Sequence, residues 1–330
     1  MDIQTQTTTL PPRALGPYEL VREAGSGGMS TVYEARDTRI GRRVALKVVS
    51  IPGYLSPDMK QAQAARIKRE ARSIARLSHP NIVSVHDVGE QDGHHYIVME
   101  FLDGQTLRSR MNDGPPLSTT EILHILEGVA GGLDAVHAQN VVHRDVKPSN
   151  VMLLPDGRVK LMDFGVARQV DDTMVTQAGT MVGSPAYMAP EQIEGQVPTL
   201  ASDVWSLGAL LYEMLAGHPP FTAKGIPQVM YQIAHNPPPP IPGVSPAVQQ
   251  ILNRALEKDP AKRFASAGEL VYAFRRALNP EAGVPAAPVR LLPAAARAPR
   301  PTTRAVPLPP RQARSLAGAL AVLLVALLLS

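Results

Sequence analysis

The stretch Val142-His143-Arg144-Asp145-Val146-Lys147-Pro148-Ser149-Asn150 decides how the rest of the chain is read. Within nine residues it carries an acid, two cations and an amide. Asp145 can accept a proton from a hydroxyl. Lys147, two residues on, can hold negative charge, and the Asn150 amide oxygen can ligate a hard cation. Thirteen residues after Asn150, Asp163-Phe164-Gly165 adds a second acid just before a glycine. That combination suits phosphoryl transfer, in which a protein mainly positions groups and stabilises charge. A short His-Arg-Asp run carries little weight by itself, whereas the full run followed by Asp-Phe-Gly at this distance is a specific signal.

Working outward, residues 18–49 read as strands joined by turns, at 19–23, 31–35 and 44–49, with a flexible turn at Gly25-Ser26-Gly27-Gly28. By the period-2 rule Ala45, Lys47 and Val49 share one face, so Lys47 lies beside a small residue that leaves room for a flat ligand. Residues 56–77 read as a helix, with Ser56 as cap and Pro57 in the first turn. Ile67, Ala71 and Ile74 form its apolar face. Glu70 lies on that face, and a carboxylate aimed inward needs a partner. Lys47 is the candidate; the alternative is that Glu70 sits at the stripe's edge in water. Residues 81–88 and 95–101 read as two more strands. Helices follow at 119–139, 200–216, 226–235, 246–256 and 267–278. Strands first and helices after suggest two lobes joined near residues 100–104.

In this order the motifs resemble the protein kinase superfamily, and Lys147 resembles its serine/threonine branch. Gly25-x-Gly27-x-x-Ser30-x-Val32 resembles the phosphate-covering loop, with Ser30 in place of the last glycine. Gly27-Gly28-Met29-Ser30 is similar to bacterial eukaryotic-like serine/threonine kinases, so Ser30 does not count against nucleotide binding. The resemblance implies an α+β, two-lobed kinase fold: a small antiparallel sheet lobe with one helix at 18–100 and a larger, mainly helical lobe at 104–278. It further implies that ATP binds through Gly25, Ser26, Gly27 and Gly28, with Lys47 on its phosphates and Glu70 holding Lys47. Met99 would guard a back pocket, the backbone of Glu100 and Leu102 would bond adenine, and Val32, Ala45 and Met152 would flank the ring. Those three serve equally well as plain core residues. Asp145 and Lys147 would be catalytic, and Asn150 and Asp163 would hold Mg²⁺ or Mn²⁺, which take oxygen ligands.

Residues 163–191 resemble an activation loop closed by Met188-Ala189-Pro190-Glu191. By the same resemblance Glu191 pairs with Arg263, and Asp203 caps the backbone of the catalytic loop. Ser184 retains a hydroxyl that bridges Asp145 and Lys147. Arg144 would bind a phosphate added to that loop. Thr173, Thr176 and Thr180 are the candidate acceptors, with Thr176 in the best-matching context. Bacterial relatives form a back-to-back dimer through the first lobe. Asp87 is in place for it, but Pro17 stands where an arginine is expected, so that salt bridge is not expected here.

The chain has 330 residues, no cysteine and a formal net charge of +4. The lack of cysteine excludes a disulfide framework and thiolate metal sites and fits a reducing compartment. The charge is too mild to argue for nucleic acid as a partner. Residues 1–17 are Thr- and Pro-rich, do not read as a signal peptide and are expected to be disordered. Residues 279–314 read as a Pro/Ala/Arg-rich linker, with six arginines and no acid from 285 to 314. Residues 316–329 carry no charge. As a helix they would span roughly 21 Å, against a hydrocarbon core of about 30 Å. Arginines ahead of them fit the positive-inside rule, so a membrane anchor at 315–330 with the kinase on the cytoplasmic side is expected. Two rivals remain. A nucleotide-binding pseudokinase scaffold sits poorly with Lys47, Asp145, Asn150 and Asp163 all present. A small-molecule kinase sits poorly with Ala-Pro-Glu and Arg263.

Overall fold

Alternation along one strand organises the first lobe. Val44, Leu46 and Val48 are buried on one face of Arg42–Val49. They join Leu15, Tyr18, Tyr96 and Val98 in an apolar cluster. Ala45 and Val49, on the other face with Lys47, pack toward a second cluster built on Ile67, Ala71 and Ile74. The computed structural model describes residues 13–27, 30–51, 55–164 and 185–279. Gly28, Gly165, Thr173, Thr176, Thr180, Ser184 and the stretch from 280 onward therefore lie outside the described residues.

The first-lobe sheet contains β1 (Ala14–Leu15), β2 (Tyr18–Gly27), β3 (Ser30–Asp37), β4 (Arg42–Val49), β5 (Val85–Gln91) and β6 (His94–Glu100). Its order is β1-β2-β3-β4-β6-β5, with antiparallel neighbours. Two strand expectations need correction. The sheet begins at Ala14, not at 18, because fully buried Leu15 anchors β1 against β2. Between them Gly16 has φ +58°, and a Cβ there would lie 2.6 Å from the Tyr96 hydroxyl oxygen, so only glycine fits. The strand expected at 81–88 starts at Val85. The backbone of Asn81 to Val83 pairs instead with the other lobe: Leu161 N–H donates to Asn81 O at 2.8 Å and Val83 N–H to Leu161 O at 3.0 Å.

Helix α1 (Pro57–Ala75) runs nearly as expected, with Ser56 Oγ accepting the Met59 N–H at 3.4 Å. After it come β7 (Gln105–Thr106), α2 (Leu107–Asp113), α3 (Thr119–His137), β8 (Val151–Leu153) and β9 (Val159–Leu161). Strands β7, β8 and β9 form a small second sheet. The remaining helices are α4 (Pro190–Ile193), α5 (Leu200–Ala216), α6 (Ile226–His235), α7 (Pro246–Ala255) and α8 (Ala267–Leu278). Every residue of α5 from Ser202 to Met214 is buried, which makes it the axis of the second lobe. Asp87, singled out above for a dimer contact, accepts the Tyr18 hydroxyl at 2.7 Å within the chain. Burial and that carboxylate push the Tyr18 phenol up to about 12.

Candidate active site

A charged residue in a buried helix must be satisfied locally. Asp203, in the first turn of α5, is fully buried and meets that requirement with three donors. Its Oδ2 accepts the His143 N–H and its Oδ1 the Arg144 N–H, each at 2.8 Å. His137 Nε2 lies 2.8 Å from the same Oδ2. The loop between α3 and β8 is thereby hung from the second-lobe core. Arg144 can hold φ +69°, unusual for a side-chain-bearing residue, because its N–H is fixed in this way.

His143 is fully buried, and that burial holds its imidazole below the usual value. The Met162 carbonyl, 2.9 Å from Nε2, can only accept, so Nε2 carries the proton. Nδ1 is left to accept the Asp145 N–H at 3.2 Å. A neutral histidine thus ties the residues before Asp163 to Asp145. Asn150 Nδ2 donates to Asp145 O at 2.8 Å and to Asp145 Oδ2 at 2.9 Å, and Lys147 Nζ is 2.8 Å from that Oδ2. With its nitrogen so used, Asn150 presents its amide oxygen as the remaining cation donor.

Asp163 adopts φ +51°. Its carboxylate accepts Lys47 Nζ at 2.8 Å, a contact from β4 in the first lobe to the end of β9 in the second. Burial pushes the Asp163 carboxyl up, but Lys47, with help from Lys147, outweighs this and holds it below its ordinary value. Next in the chain, Phe164 is buried, with its ring centroid 4.5 Å from that of His143. It closes an apolar pocket lined by Lys47, Ala71, Ile74, Ile97 and Met99.

The expected Lys47–Glu70 pair is not the one formed. Glu70 Oε1 lies 3.2 Å from Arg66 Nε, one turn back on α1, and 3.5 Å from the Arg144 guanidinium. Two arginines take the carboxylate while Asp163 takes the amine. Val32, Ala45 and Met152 are each half-buried, and Ala45 packs against the cluster built on Ile67, Ala71 and Ile74. Met99 is buried at the back, and Leu102 packs against the same cluster. Gly25 pairs with Val32 and Gly27 with Ser30 in the hairpin, so the expected flexible turn continues as paired strand to Gly27. Glu191 and Arg263 form a buried two-pronged pair, 2.8 Å at each prong, and Ser202 Oγ donates to Glu191 at 2.7 Å.

The contacts that escaped the sequence reading include the Lys47–Asp163 bond, the Glu70–Arg144 approach, the His137 contribution to Asp203, and a buried Lys160 bonded to Glu100 at 2.6 Å. Only the last had a local signal: a lysine between Val159 and Leu161 in an apolar strand.

The sequence matches the family described as protein kinase domain over residues 18–273. It is 41% identical over 269 residues to the serine/threonine-protein kinase PknD of Mycobacterium tuberculosis, covering 80% of this chain and 40% of that protein. Against the serine/threonine-protein kinase PknA of the same species identity is 40% over 292 residues, covering 85% and 66%. A probable serine/threonine-protein kinase of Streptomyces coelicolor, SCO3848, is 41% identical over 270 residues, covering 79% and 40%. The chain thus spans from two fifths to about two thirds of the length of these relatives.

Proposed function

This chain belongs to the protein kinase family, and from that premise we propose that it transfers the γ-phosphoryl group of ATP to serine and threonine hydroxyls of proteins. The observation that carries the reading is the Lys47–Asp163 contact at 2.8 Å, which ties the two lobes beside the Asp145–Lys147–Asn150 cluster. In this reading the backbone of Glu100 and Leu102 holds adenine, and Val32, Ala45 and Met152 flank it in front of Met99. The hairpin from Gly25 through Ser26 and Gly27 to Gly28 covers the phosphates. Among the described residues neither Gly25 nor Gly27 is demanded by the fold, since a Cβ at Gly25 meets nothing within 4 Å and one at Gly27 only Ser30 O at 3.9 Å. Close approach of a ligand supplies the reason for glycine there.

Asp145 orients the acceptor hydroxyl and takes its proton as the new O–P bond forms and the bond from the γ-phosphorus to the bridging oxygen breaks, with ADP as the leaving group. Lys147, already beside Asp145, offsets the charge on the transferring group. Asp163 and Asn150 offer two hard oxygen donors, which suits Mg²⁺ or Mn²⁺ completed by phosphates and water. Bound there, such an ion would supply neutralisation of phosphate charge. The presence of Lys47, Asp145, Asn150 and Asp163 together supports catalysis over the pseudokinase alternative. The buried Glu191–Arg263 anchor favours a protein acceptor over a small molecule. Incubation with labelled ATP and a general protein acceptor tests the reading: wild type labels the acceptor and Asp145→Asn does not. Equal labelling by both would end it.

Activation by autophosphorylation extends this reading. Among the described residues Arg144 Nε is buried without a hydrogen-bond partner, and Glu70 is within 3.5 Å of Arg144 Nη1. A phosphate on Thr176, or on Thr173 or Thr180, would compete with Glu70 for Arg144. Glu70 would then be released toward Lys47, the pairing its place on α1 suggests. Phosphopeptide mapping of active protein that finds all three threonines bare would count against this. Among the described residues no helix is long and apolar enough to cross a membrane. Attachment through residues 315–330, with the kinase on the cytoplasmic side, is a proposal from sequence alone. Full-length protein left in the supernatant after high-speed centrifugation of a lysate would sink it.

A further inference from the structure

Lys160 is a cation that the reaction described above does not use. It lies in β9, three residues before Asp163, and is 4% exposed. Lysine is almost never fully buried without a partner. Its ammonium donates to Glu100 Oε1 at 2.6 Å and to the Ile82 carbonyl at 3.2 Å. The same Glu100 oxygen accepts the Ser84 N–H at 2.7 Å, and the Glu100 N–H donates to Ser84 O at 2.9 Å. Burial pushes the Glu100 carboxyl up, but the bonds from Lys160 and Ser84 outweigh it and hold the group below its ordinary value. The residue at which β6 passes into the interlobe connection is therefore tied through both side chain and backbone.

We propose that Lys160 is a positioning residue for the nucleotide base, setting the Glu100 backbone at a fixed distance from Asp163. The inference rests on the reading of the cleft as an ATP site. Adenine meets the backbone of Glu100 at one end of that cleft, and the phosphate end meets Asp163 at the other. Lys160 touches neither, yet it bonds the first and lies in the short strand that delivers the second. Small displacements at one end of a bound substrate cost alignment at the other. A buried ammonium bonded to a carboxylate resists such displacement, because moving either group leaves a charge without its partner.

The test uses the full chain in its active form, with Lys160→Met, Lys160→Arg and the double variant Lys160→Met/Glu100→Gln. The double variant leaves no buried charge alone, and the amide oxygen introduced by Glu100→Gln still accepts the Ser84 N–H, so it keeps the fold where Lys160→Met alone does not. Tm, kcat, and KM for ATP and for GTP are measured. In the double variant the KM for ATP rises about tenfold, while kcat and the KM for GTP change less than about twofold, so the preference for ATP over GTP falls. Lys160→Arg recovers most of that preference. A double variant with lowered Tm but unmoved ATP KM and ATP preference would show a purely structural tie and overturn the proposal. Wild type that binds no ATP by calorimetry would remove the ATP reading itself, a result seen before any substitution is made.

Discussion

The Glu70 carboxylate lies 3.5 Å from the Arg144 guanidinium, on an arginine that directly precedes the candidate catalytic Asp145. The same carboxylate is the one that the family resemblance assigns to Lys47, so its partner should report the state of the protein. Glu70→Gln is expected to lower kcat/KM about 100-fold in protein phosphorylated at Thr176 and less than about threefold in unphosphorylated protein. Steady-state kinetics on the two forms checks this. An equal loss in both would mean that Glu70 holds Lys47 throughout.

Among the described residues a Cβ at Gly25 would meet nothing within 4 Å and one at Gly27 only the Ser30 carbonyl at 3.9 Å, so the value of these glycines should appear in binding and not in folding. Gly25→Ala and Gly27→Ala are expected to leave Tm unchanged or slightly raised, since alanine loses less backbone freedom in a strand. The KM for ATP is expected to rise about tenfold or more as the added methyl meets phosphate oxygens. A fall in Tm with an unmoved KM would assign these glycines to the fold.

Glu191 and Arg263 are both buried and joined at two points, 2.8 Å each. Arg263→Met alone leaves a buried carboxylate and should cost about 3–5 kcal/mol, whereas Glu191→Gln/Arg263→Met should cost clearly less. Denaturant unfolding of the single and double variants measures the difference.

The acid limb of stability should depend on the same pair. Burial pushes the Glu191 carboxyl up, but the bonds from Arg263 and Ser202 outweigh it and hold the group below its ordinary value. As pH falls the unfolded chain therefore binds this proton first. The stability contribution is complete above the ordinary carboxylate range and is lost as pH drops through the depressed folded value. Glu191→Gln should flatten the Tm profile on that acid side while leaving its alkaline side in shape. An unchanged acid slope would refute the assignment.

Asp203 receives the backbone N–H groups of His143 and Arg144, each at 2.8 Å. Asp203→Ala should destabilise the protein by about 2–6 kcal/mol, the cost of two buried donors left unmade. Asp203→Asn keeps one acceptor and should fall between. Thermal unfolding alongside phosphotransfer on the surviving folded fraction separates lost stability from a displaced loop.

Chemical identity and order were legible from the residues alone. The acids at 145 and 163, the amide at 150 and the lysine at 47 declare their chemistry by type, and their spacing places them in a strand, a loop and a second loop. Helix limits were nearly right, since caps such as Ser56 and the turn-to-turn apolar spacing of α1 are local signals. Which charge meets which could not be read in that way. Glu70 and Arg144 are 74 residues apart, Lys160 and Glu100 are 60 apart, and Lys47 had two acids within reach of its face. Ion-pair choice turns on the placement of whole elements to within an ångström or two, because the attraction must offset the loss of water around each charge. The start of β5 was hidden for the same reason, as Asn81 to Val83 pair with β9 of the other lobe. Sequence thus supplied the reacting groups and their scaffold, and packing between distant elements selected their partners.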